Sequence, residues 1–386
     1  GIVWKGVERR GRRRVVALKK CFQAFASSSD AQRTYREISY LRLLAGHVNV
    51  IQLKNVIRAK NDLDIYLVFE FMETDLHAVI RARLLEDVHK RYVAYQLLKA
   101  LKFVHSAGVV HRDVKPSNVL LNENGHMKLC DFGLCRSVNS SCQDEEPYDV
   151  ATRWYRSPES LVGSSWCLPG LDVWATACIV GEMYHGLPVL PGASTADQVR
   201  RILALVSSSP PPETDDEARA LLARRVGVLA PRRQKILRGG VDPPDDDIRN
   251  SSSACAVDTT RDDDDDDDAA PQTDSGEVAC SSLAAWLPKE AREVCAAMLR
   301  LDPRRRLSAG AALSDDWLAA FRGTEHEPSY GKPRLQLKVA DDRRLTAAQY
   351  REHLFLDLVK HKNCRPRRLL GDHPELDDDD EPPSLS

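Results

Sequence analysis

The sequence predicts an α+β fold with two lobes, in which a small N-terminal antiparallel sheet with one helix precedes a larger, mainly helical C-terminal lobe. Residues 2–70 alternate short apolar runs ("VVALKKCF", "IYLVFEF") with a single helical stretch, "AQRTYREISYLRLL", as expected for a sheet that packs one helix. From about residue 75 onward, apolar residues recur with helical spacing. A chain of 386 residues with 42% hydrophobic and 29% charged residues is large enough and apolar enough to bury such a core.

Two helices of the larger lobe are predicted directly from their patterns. The segment "EDVHKRYVAYQLLKALKFVHSAG" has one apolar face and ends at Gly108, because glycine is a frequent helix stop. The residues of that face are Val88, Tyr92, Tyr95, Leu98, Leu101 and Val104. The segment "LDVWATACIVGEMYHG" is apolar nearly all round, which indicates a helix buried inside the larger lobe.

Composition divides the chain into five parts. We predict a small lobe over residues 1–72 and a larger lobe over 73–206, interrupted by an insertion over 207–282 and completed by residues 283–322. A C-terminal extension over 323–386 contains one amphipathic helix, "LTAAQYREHLFLDLVKHK". The insertion is acidic and rich in Pro and Ser, so it has too little apolar surface to offset the entropy of ordering. We expect it to be largely disordered, with a docking tail for a basic partner as the alternative.

Charge and cysteine content limit the classes of binding partner and the cellular compartments that the sequence predicts. The net charge is −2, which gives no reason to expect binding to nucleic acid or to a membrane surface. The ten cysteines lack the paired spacing of a disulfide or metal framework, which favours a reducing compartment. No apolar run is long enough to cross a bilayer, and no signal peptide is visible. We therefore expect a monomer in the cytoplasm, with the nucleus as an alternative location.

Four short motifs occur in a specific order along the chain. "VALK" at 16–19 precedes "HRDVKPSNVLL" at 111–121, "DFG" at 131–133 and "SPE" at 157–159. Each motif alone is a weak signal, but the set in this order and spacing resembles a eukaryotic protein kinase. The resemblance covers residues 1–205 and 283–322. It implies the bilobal protein kinase fold, with ATP as phosphoryl donor and Mg²⁺ as cofactor.

The resemblance implies a catalytic role for four charged residues of these segments. Lys19, on the third strand of the family's small lobe, would hold the α- and β-phosphates, and Glu37 would pair with Lys19. Asp113 would orient the substrate hydroxyl and accept its proton, and Lys115 would contact the γ-phosphate, as in serine/threonine kinases. Phosphoryl transfer needs positioning and charge neutralisation more than covalent chemistry, which suits such a set.

The metal and nucleotide sites follow from the same resemblance. Asn118 and Asp131 would supply the oxygen ligands that Mg²⁺ prefers. The hinge would be the segment "FEFMETD", with Phe69 as the gatekeeper. Val3, Ala17 and Leu120 would enclose the adenine. The nucleotide-binding residues would together be Val3, Ala17, Lys19, Glu70, Met72, Asp75 and Leu120.

Other residues of the resemblance would hold the shape of the lobes. Asp172 would anchor the backbone around the histidine of the "HRD" motif. Glu159 and Arg306 would form a buried ion pair of the larger lobe. The column that joins the two lobes would consist of Leu41, His111 and Phe132.

Longer segments narrow the family further. "YREISYL", "METDLHAVIR", "VATRWYRSPE" and "LPGASTADQVRRI" resemble mitogen-activated protein kinases, and "LVFEFMETDLHAVIRARLLEDVHKRY" resembles their atypical extracellular-signal-regulated branch most. In that family the Trp-Tyr-Arg segment shapes a pocket for proline, which implies protein substrates with Ser/Thr-Pro sites. The acidic "TEHEP", with Glu325 and Glu327, would be a remnant of the family's docking patch for basic peptide motifs or an ordinary solvated turn.

The N-terminus departs from the family pattern. Gly1 matches the last glycine of the family's glycine-rich phosphate loop. We therefore expect a truncated chain that binds ATP poorly, because most of the backbone N–H groups that hold the phosphates would be missing. The alternative to an active enzyme is a catalytically weak pseudokinase or scaffold that keeps the fold for docking. The intact charged motif residues favour the enzyme.

The segment "DEEPYDVATRWYR" lacks the Thr-x-Tyr phosphorylation switch of the family. The arginines that would receive the two phosphates are nevertheless all present. Arginine suits a doubly charged phosphate, because its fork of donors binds in bidentate fashion. The matching residues are Arg36, Arg112 and Arg136 for the phosphothreonine, and Arg153 and Arg156 for the phosphotyrosine.

Two alignments of this segment lead to different switch residues. Without a gap, Pro147 and Asp149 occupy the two phosphorylated positions. With a one-residue insertion, Glu146 and Tyr148 occupy them, and we prefer this alignment. The hypothesis is that autophosphorylation of Tyr148, helped by the permanent carboxylate of Glu146, replaces dual phosphorylation. Relaxed constraint in a drifting copy is the alternative.

Overall fold

The computed structural model describes residues 1–8, 13–138, 153–163, 167–206, 212, 214–226, 280–324, 326–341 and 343–360. Its N-terminal part is a four-stranded antiparallel sheet with one long helix. The strands are β1 (Ile2–Val7), β2 (Val15–Cys21), β3 (Leu53–Arg58) and β4 (Ile65–Glu70), hydrogen-bonded in the order β1-β2-β4-β3. The helix is α1 (Ser28–Leu43). The predicted small lobe is therefore confirmed.

Helix α1 begins and packs as its sequence dictates. Ser27 is the N-cap, and its hydroxyl accepts a hydrogen bond from the backbone N–H of Asp30 at 3.1 Å, which satisfies one of the donors that a helix start leaves unpaired. Its apolar face lies in the core, and the buried residues of that face are Ala31, Tyr35, Ile38, Tyr40 and Leu41. This packing fixes the rotation of α1 relative to the sheet.

The larger lobe is mainly helical, as predicted. Its helices are α2 (Leu76–Arg81), α3 (Asp87–Ser106), α4 (Pro158–Leu161), α5 (Gly170–His185), α6 (Thr195–Val206), α7 (Asp215–Val226), α8 (Lys289–Met298) and α9 (Ala309–Leu313). Short strands β5 (Thr74–Asp75), β7 (Val119–Leu121) and β8 (Met127–Leu129) form one small sheet, and β6 (Val109–Val110) pairs with β9 (Arg136–Ser137). Together the two lobes give the bilobal α+β fold. Among the described helices, none is long and apolar enough to cross a membrane.

Helices α3 and α5 form the centre of the larger lobe. The predicted stop of α3 is confirmed, because the chain turns at Gly108 with a left-handed φ of 78° that glycine adopts without strain. The predicted apolar face is buried from Tyr95 to Val104, but Val88 is 50% exposed. The first turn of α3 extends past the core, so the apolar pattern there does not correspond to burial. Helix α5 is buried along most of its length, as its sequence indicates.

The predicted insertion contains a folded helix at its N-terminal end. Helix α7 lies inside the segment 207–282, and Ala218, Leu222, Ala223 and Val226 are buried where it packs against α4 and α6. The expectation of disorder is therefore wrong for residues 215–226. The acidic composition of the whole segment obscured an i, i+4, i+5, i+8 spacing that is typical of one buried helix face. The rest of the insertion, including the run of Asp at 262–268, lies outside the described residues.

The C-terminal extension folds back onto both lobes. The backbone N–H of Leu335 donates to the carbonyl of Ala107 at the end of α3, at 2.8 Å. The predicted amphipathic helix is α10 (Ala347–Lys360), which packs against α1. The rings of Tyr350 and Tyr35 lie 5.7 Å apart between their centroids. The described part of the extension, up to residue 360, therefore packs on the folded core and lies against the helix that carries Glu37.

Candidate active site

Lys19 and Glu37 meet between strand β2 and helix α1. Nζ of Lys19 lies 2.6 Å from Oε1 of Glu37, and the Glu37 side chain is 8% exposed. Burial alone would lower the pKa of Lys19, but attraction by Glu37 and Asp131 outweighs it and raises the pKa. The ammonium therefore stays charged and is held in one place. This is the arrangement needed to hold phosphate oxygens.

Asp113, Lys115 and Asn118 form a second polar group at the start of β7. Nζ of Lys115 lies 2.8 Å from Oδ2 of Asp113. The amide nitrogen of Asn118 donates to the same oxygen at 3.0 Å and to the backbone carbonyl of Asp113 at 2.8 Å. Pro116–Asn118 is a single 3-10 turn that brings the three side chains together. The predicted base and the predicted γ-phosphate contact are thus neighbours.

A buried aspartate holds the backbone that precedes Asp113. The carboxylate of Asp172 accepts hydrogen bonds from the backbone N–H groups of His111 (2.8 Å) and Arg112 (2.7 Å). Arg112 has a φ of 69°, a left-handed conformation that costs energy for any residue except glycine. Burial opposes the charge of Asp172, but its hydrogen bond to His105 lowers its pKa, so the carboxylate remains ionised and offsets the cost. The predicted anchoring role is confirmed by these contacts.

His111 links the catalytic loop to the segment that bears Asp131. Its Nε2 lies 3.0 Å from the carbonyl of Cys130, and its Nδ1 accepts from the backbone N–H of Asp113 at 3.3 Å. A carbonyl only accepts, so these two bonds assign the Nε2–H tautomer to the ring. The ring of Phe132 meets that of His111 edge-on at 4.9 Å between centroids. Leu41, the third residue of the predicted column, is buried in the same core.

Asp131 carries the second left-handed backbone conformation of the site. Its φ is 62°, and the next two residues begin a 3-10 turn over Phe132–Leu134. Burial would raise the pKa of the Asp131 carboxyl, but Lys19 and Arg33 lower it overall, and Nη2 of Arg33 lies 3.9 Å from Oδ2. The carboxylate is therefore ionised at neutral pH, as a metal ligand must be.

Asn118 and Asp131 fit the requirements of a magnesium ion that is shared with a nucleotide. The amide nitrogen of Asn118 is occupied by Asp113, so its carbonyl oxygen remains for a cation. Within the described residues, no group of three or more His, Cys, Asp or Glu residues could hold a metal by itself. Mg²⁺ commonly takes one or two protein oxygens together with phosphate oxygens and water, so two protein ligands suit it.

The predicted nucleotide-binding residues lie on strands β1 and β2, at and just after the end of β4, and at the start of the larger lobe. Val3 is 61% exposed on the edge strand β1, where its register partner on β2 is Lys19. Ala17 lies opposite Phe69 of β4. The backbone N–H of Glu70 donates to the carbonyl of Gln52 at 3.2 Å, so a contact of Glu70 with a base would use its carbonyl. Met72 is half-buried and lies two residues after the end of β4.

Asp75 and Leu120 face each other on paired strands. They are partners in the β5–β7 register. Oδ1 of Asp75 accepts from the backbone N–H of Ala78 at 2.9 Å and thereby caps α2. The capping role was not predicted, and it leaves the second oxygen of the carboxylate for a ligand such as a ribose hydroxyl.

Backbone carbonyls accept hydrogen bonds from four of the predicted phosphate-receiving arginines. Nη2 of Arg36 and Nη1 of Arg136 both donate to the backbone carbonyl of Asp341, at 2.9 and 2.5 Å. Nη1 of Arg112 donates to the carbonyl of Leu134 at 3.2 Å. Arg153 donates to the carbonyl of Ala193 at 3.3 Å and begins the 3-10 turn Arg153–Tyr155, which Arg156 follows. Glu146 and Tyr148 lie outside the described residues, so their predicted switch role stays a prediction.

Asp341 and Arg33 are the residues of this region that the sequence did not predict. Arg33 lies one helical turn before Glu37 on α1, which was a usable signal for its proximity. Asp341 is more than three hundred positions from Arg36 along the chain. Its proximity depends on the path of the extension, and the sequence carries no local signal for it.

Two further predictions concern residues away from the catalytic centre. Arg306 and Glu159 form a fully buried, two-pronged ion pair, with N–O distances of 2.7 and 2.9 Å, as predicted. The carboxylate of Glu327 accepts from the hydroxyl of Tyr95 at 2.9 Å and from Nζ of Lys102 at 3.2 Å. These bonds within the chain occupy Glu327 and weaken the case for a docking patch. Glu325 lies outside the described residues.

Comparison with known proteins identifies the family. The family described as Protein kinase domain matches residues 1–318. The chain is 39% identical to Extracellular signal-regulated kinase 2 of Dictyostelium discoideum over 367 residues, which cover 94% of this chain and 87% of that protein. It is 39% identical to Mitogen-activated protein kinase 15 of Xenopus laevis over 94% of this chain and 55% of that protein. Mitogen-activated protein kinase 15 of Rattus norvegicus is 56% identical over 53% of this chain and 38% of that protein.

The chain thus spans about half or less of the length of the two relatives named Mitogen-activated protein kinase 15 and most of the Dictyostelium relative. Both the match over residues 1–318 and the motif residues assembled between the lobes agree with the resemblance predicted from the sequence. The chain belongs to the protein kinase family and, within it, to the mitogen-activated protein kinases, in their atypical extracellular-signal-regulated branch.

Proposed function

We propose that the chain is a serine/threonine protein kinase that transfers the γ-phosphoryl group of ATP, with Mg²⁺, to Ser/Thr-Pro sites of protein substrates. The observation that carries the proposal is the assembled charge constellation. Lys19 is paired with Glu37 at 2.6 Å, and Lys115 lies 2.8 Å from Asp113. Lys19 and Lys115 lie close enough to Asp131 to lower its pKa, and Asp131 with Asn118 would hold the Mg²⁺ that phosphoryl transfer requires.

The roles of the residues follow from their positions. The substrate hydroxyl oxygen forms a bond to the γ-phosphorus while the bond to the bridging oxygen of ADP breaks, and the hydroxyl proton passes to the carboxylate of Asp113. Lys115, bound to that carboxylate, is placed to neutralise charge on the transferred group. Lys19 orients the other phosphates. Mg²⁺ held by Asn118 and Asp131 would neutralise the charge shared by the phosphates.

The same contacts favour the enzyme over a scaffold. A protein that serves only for docking has no need to keep a charged, half-buried lysine paired with a buried glutamate, since burying charge is costly. The ionised state of Asp131 likewise depends on Lys19 and Arg33. The local backbone is also held in two left-handed conformations, at Arg112 and Asp131, and strain of this kind clusters at functional sites.

The proposed preference for proline rests on the segment Arg153–Tyr155. Nε1 of Trp154 donates to the carbonyl of Gly192 at 3.1 Å, and the hydroxyl of Tyr155 donates to Oε2 of Glu182 at 2.5 Å. These bonds fix the segment to α5 and to the loop before α6. A surface fixed in this way supports selection of the residue that follows the phosphoacceptor.

A peptide array tests the specificity. Peptides that differ only in Ser-Pro against Ser-Ala are incubated with the chain and labelled ATP, and the Asp113→Asn variant gives the background. We expect several-fold or greater incorporation into the Ser-Pro set. Equal incorporation into both sets, above the background of the variant, would overturn the proline preference and leave the kinase activity standing.

A further inference from the structure

Asp341 lies in the C-terminal extension, between the segment that contacts the end of α3 and helix α10. Its side chain is only 4% exposed. A buried carboxylate needs charged or hydrogen-bonding partners to offset the loss of water. The partners of Asp341 come from both lobes.

The main-chain oxygen of Asp341 binds the two arginines described above. Nη2 of Arg36 donates to it at 2.9 Å and Nη1 of Arg136 at 2.5 Å. Oδ2 of the carboxylate accepts from the hydroxyl of Tyr40 at 2.9 Å and from the backbone N–H of Ser137 at 2.8 Å. Oδ1 lies 3.4 Å from Nε of Arg36 and forms an ion pair with it. Among the described residues, no group donates a hydrogen bond to Oδ1. One residue thus presents three oxygens to a basic, buried position.

These contacts join two elements that carry catalytic residues. Arg36 and Tyr40 lie on α1, and Arg36 directly precedes Glu37 in the sequence. Arg136 and Ser137 form strand β9, which begins five residues after Asp131. Asp341 therefore connects the helix that positions Lys19 to the strand that follows the magnesium ligand.

The segment that carries Asp341 is held in place on both sides. Before it, Leu335 is bonded to Ala107 at 2.8 Å. After it, the hydroxyl of Tyr350 donates to the carbonyl of Arg343 at 2.8 Å, and the ring of Phe355 lies 6.3 Å from that of Phe25. A residue fixed in this way needs little further ordering to hold its partners, so its contacts act on the orientation of α1.

We propose that Asp341 is a positioning residue, whose carboxylate pairs with Arg36 and whose main-chain carbonyl binds both Arg36 and Arg136, in the place that the resemblance gives to a phosphothreonine of the activation segment. A phosphate offers about two charges and three oxygens, and a carboxylate alone offers one charge and two oxygens. The carbonyl of Asp341 adds the third oxygen here. These contacts form without any modification of the chain, so the extension orders α1 by itself.

This inference rests on the proposed kinase activity where kcat is measured. Hydrogen exchange is a second readout that does not require activity. Three variants are compared with the unmodified chain: Asp341→Asn, Asp341→Glu and, as the control, Asp316→Asn. Asp316 is fully exposed and pairs only with Arg322 among the residues described. The readouts are kcat and KM on one peptide, and hydrogen exchange of residues 28–43 and 136–138. Exchange is measured in chains that also carry Asp131→Ala, so that it does not depend on turnover.

Asp341→Asn should lower kcat about tenfold or more, because displacement of a catalytic element by about 1 Å has effects of this size, while the KM for the peptide stays within about twofold. Exchange in α1 and β9 should become faster. Asp341→Glu should recover part of both effects, since it keeps the charge, and Asp316→Asn should match the unmodified chain. A residue that serves only stability would lower the amount of folded enzyme and leave the kcat of the folded fraction unchanged.

Unchanged kcat together with unchanged exchange in Asp341→Asn would overturn the inference. If Asp341→Asn does not fold, Tyr40→Phe decides instead, because it removes one hydrogen bond to Oδ2 and keeps the ring. We expect about a threefold loss of kcat from it and faster exchange of α1, and no change in either would likewise overturn the inference. If the unmodified chain shows no phosphotransfer, the proposed function fails, and the exchange of α1 still decides the role of Asp341.

Discussion

Nζ of Lys19 lies 2.6 Å from Oε1 of Glu37, and this ion pair joins strand β2 to helix α1. The glutamate is almost completely buried, whereas the lysine is about one-quarter exposed. The pair therefore links the position of α1 to the position of the ammonium that is proposed to bind phosphate. Any change that moves α1 moves Lys19 as well.

Substituting Glu37 by glutamine should reduce phosphoryl transfer while the chain stays folded. Glutamine keeps the shape but not the charge, so Lys19 loses its fixed partner, and kcat/KM should fall by roughly one to two orders of magnitude. Steady-state kinetics at saturating Mg²⁺ measure the change. Glu290→Gln, on the exposed face of α8, is the control and should leave kcat/KM unchanged. A Glu37→Gln variant with the kinetics of the control would show that the ion pair does not position Lys19.

The ionised state of Asp131 predicts a specific dependence of stability on pH. Its pKa is lower in the folded chain than the ordinary value of 3.8. The folded state therefore binds fewer protons there than the unfolded state. The stabilisation from this group is complete above about pH 4 and is lost as the pH falls through the folded pKa. The free energy of unfolding of the unmodified chain should thus drop relative to that of Asp131→Asn as the pH is lowered from about 4 through the folded pKa. Urea denaturation across this range measures the difference, and parallel curves would contradict the shift.

The buried ion pair of Arg306 and Glu159 should contribute strongly to the stability of the larger lobe. Glu159→Gln leaves the guanidinium without its charged partner in a fully buried position, which costs about 3–5 kcal/mol in comparable cases. Arg306→Ala should cost at least as much, because Arg306 also donates to the carbonyls of Arg300 and Gly170. Chemical denaturation measures both variants. Arg304→Ala, two positions away and largely exposed, is the matched control and should have little effect. Equal stability of Arg306→Ala and Arg304→Ala would refute the contribution.

Tyr148 should be phosphorylated by the chain itself if the hypothesis for the activation segment holds. Tyr148→Phe should then remove phosphotyrosine from this segment and lower kcat several-fold, because Arg153 and Arg156 would lose an anionic partner. Mass spectrometry of the segment and the peptide assay measure the two effects. Asp113→Asn is the control, since an inactive chain should carry no phosphate at Tyr148 when it is expressed alone. Unchanged activity of Tyr148→Phe would reject the hypothesis.

The grouping of the motif residues was predictable from the sequence because these residues lie in short motifs with fixed spacing. The distances in the structure place Lys19 beside Glu37, and Asp113 beside Lys115 and Asn118, as the motifs imply. Asp172 and the pair Glu159–Arg306 could also be predicted, although only through the family resemblance, since nothing local in the sequence specifies their partners.

The contacts of the extension and helix α7 were not predictable in the same way. Asp341 reaches Arg36 through the tertiary path of the chain, and its sequence surroundings, "KVADDRR", read as an ordinary polar turn. For α7, the apolar spacing was present in "ARALLARRV", but the acidic and Pro-rich composition around it outweighed that signal. Burial of Leu222 against neighbouring helices stabilises a segment whose composition alone favours disorder.

The transfer of labelled γ-phosphate from ATP to myelin basic protein tests the central claim most directly. The assay compares the unmodified chain, Asp131→Ala and the Glu290→Gln control, each with Mg²⁺ and with the metal chelated. We predict Mg²⁺-dependent labelling by the unmodified chain and by Glu290→Gln, and at least about a hundredfold less by Asp131→Ala, because the variant lacks a charged ligand at the transferred group. Equal labelling by Asp131→Ala and the unmodified chain, or no labelling by the unmodified chain, would contradict the assignment of this site to phosphoryl transfer.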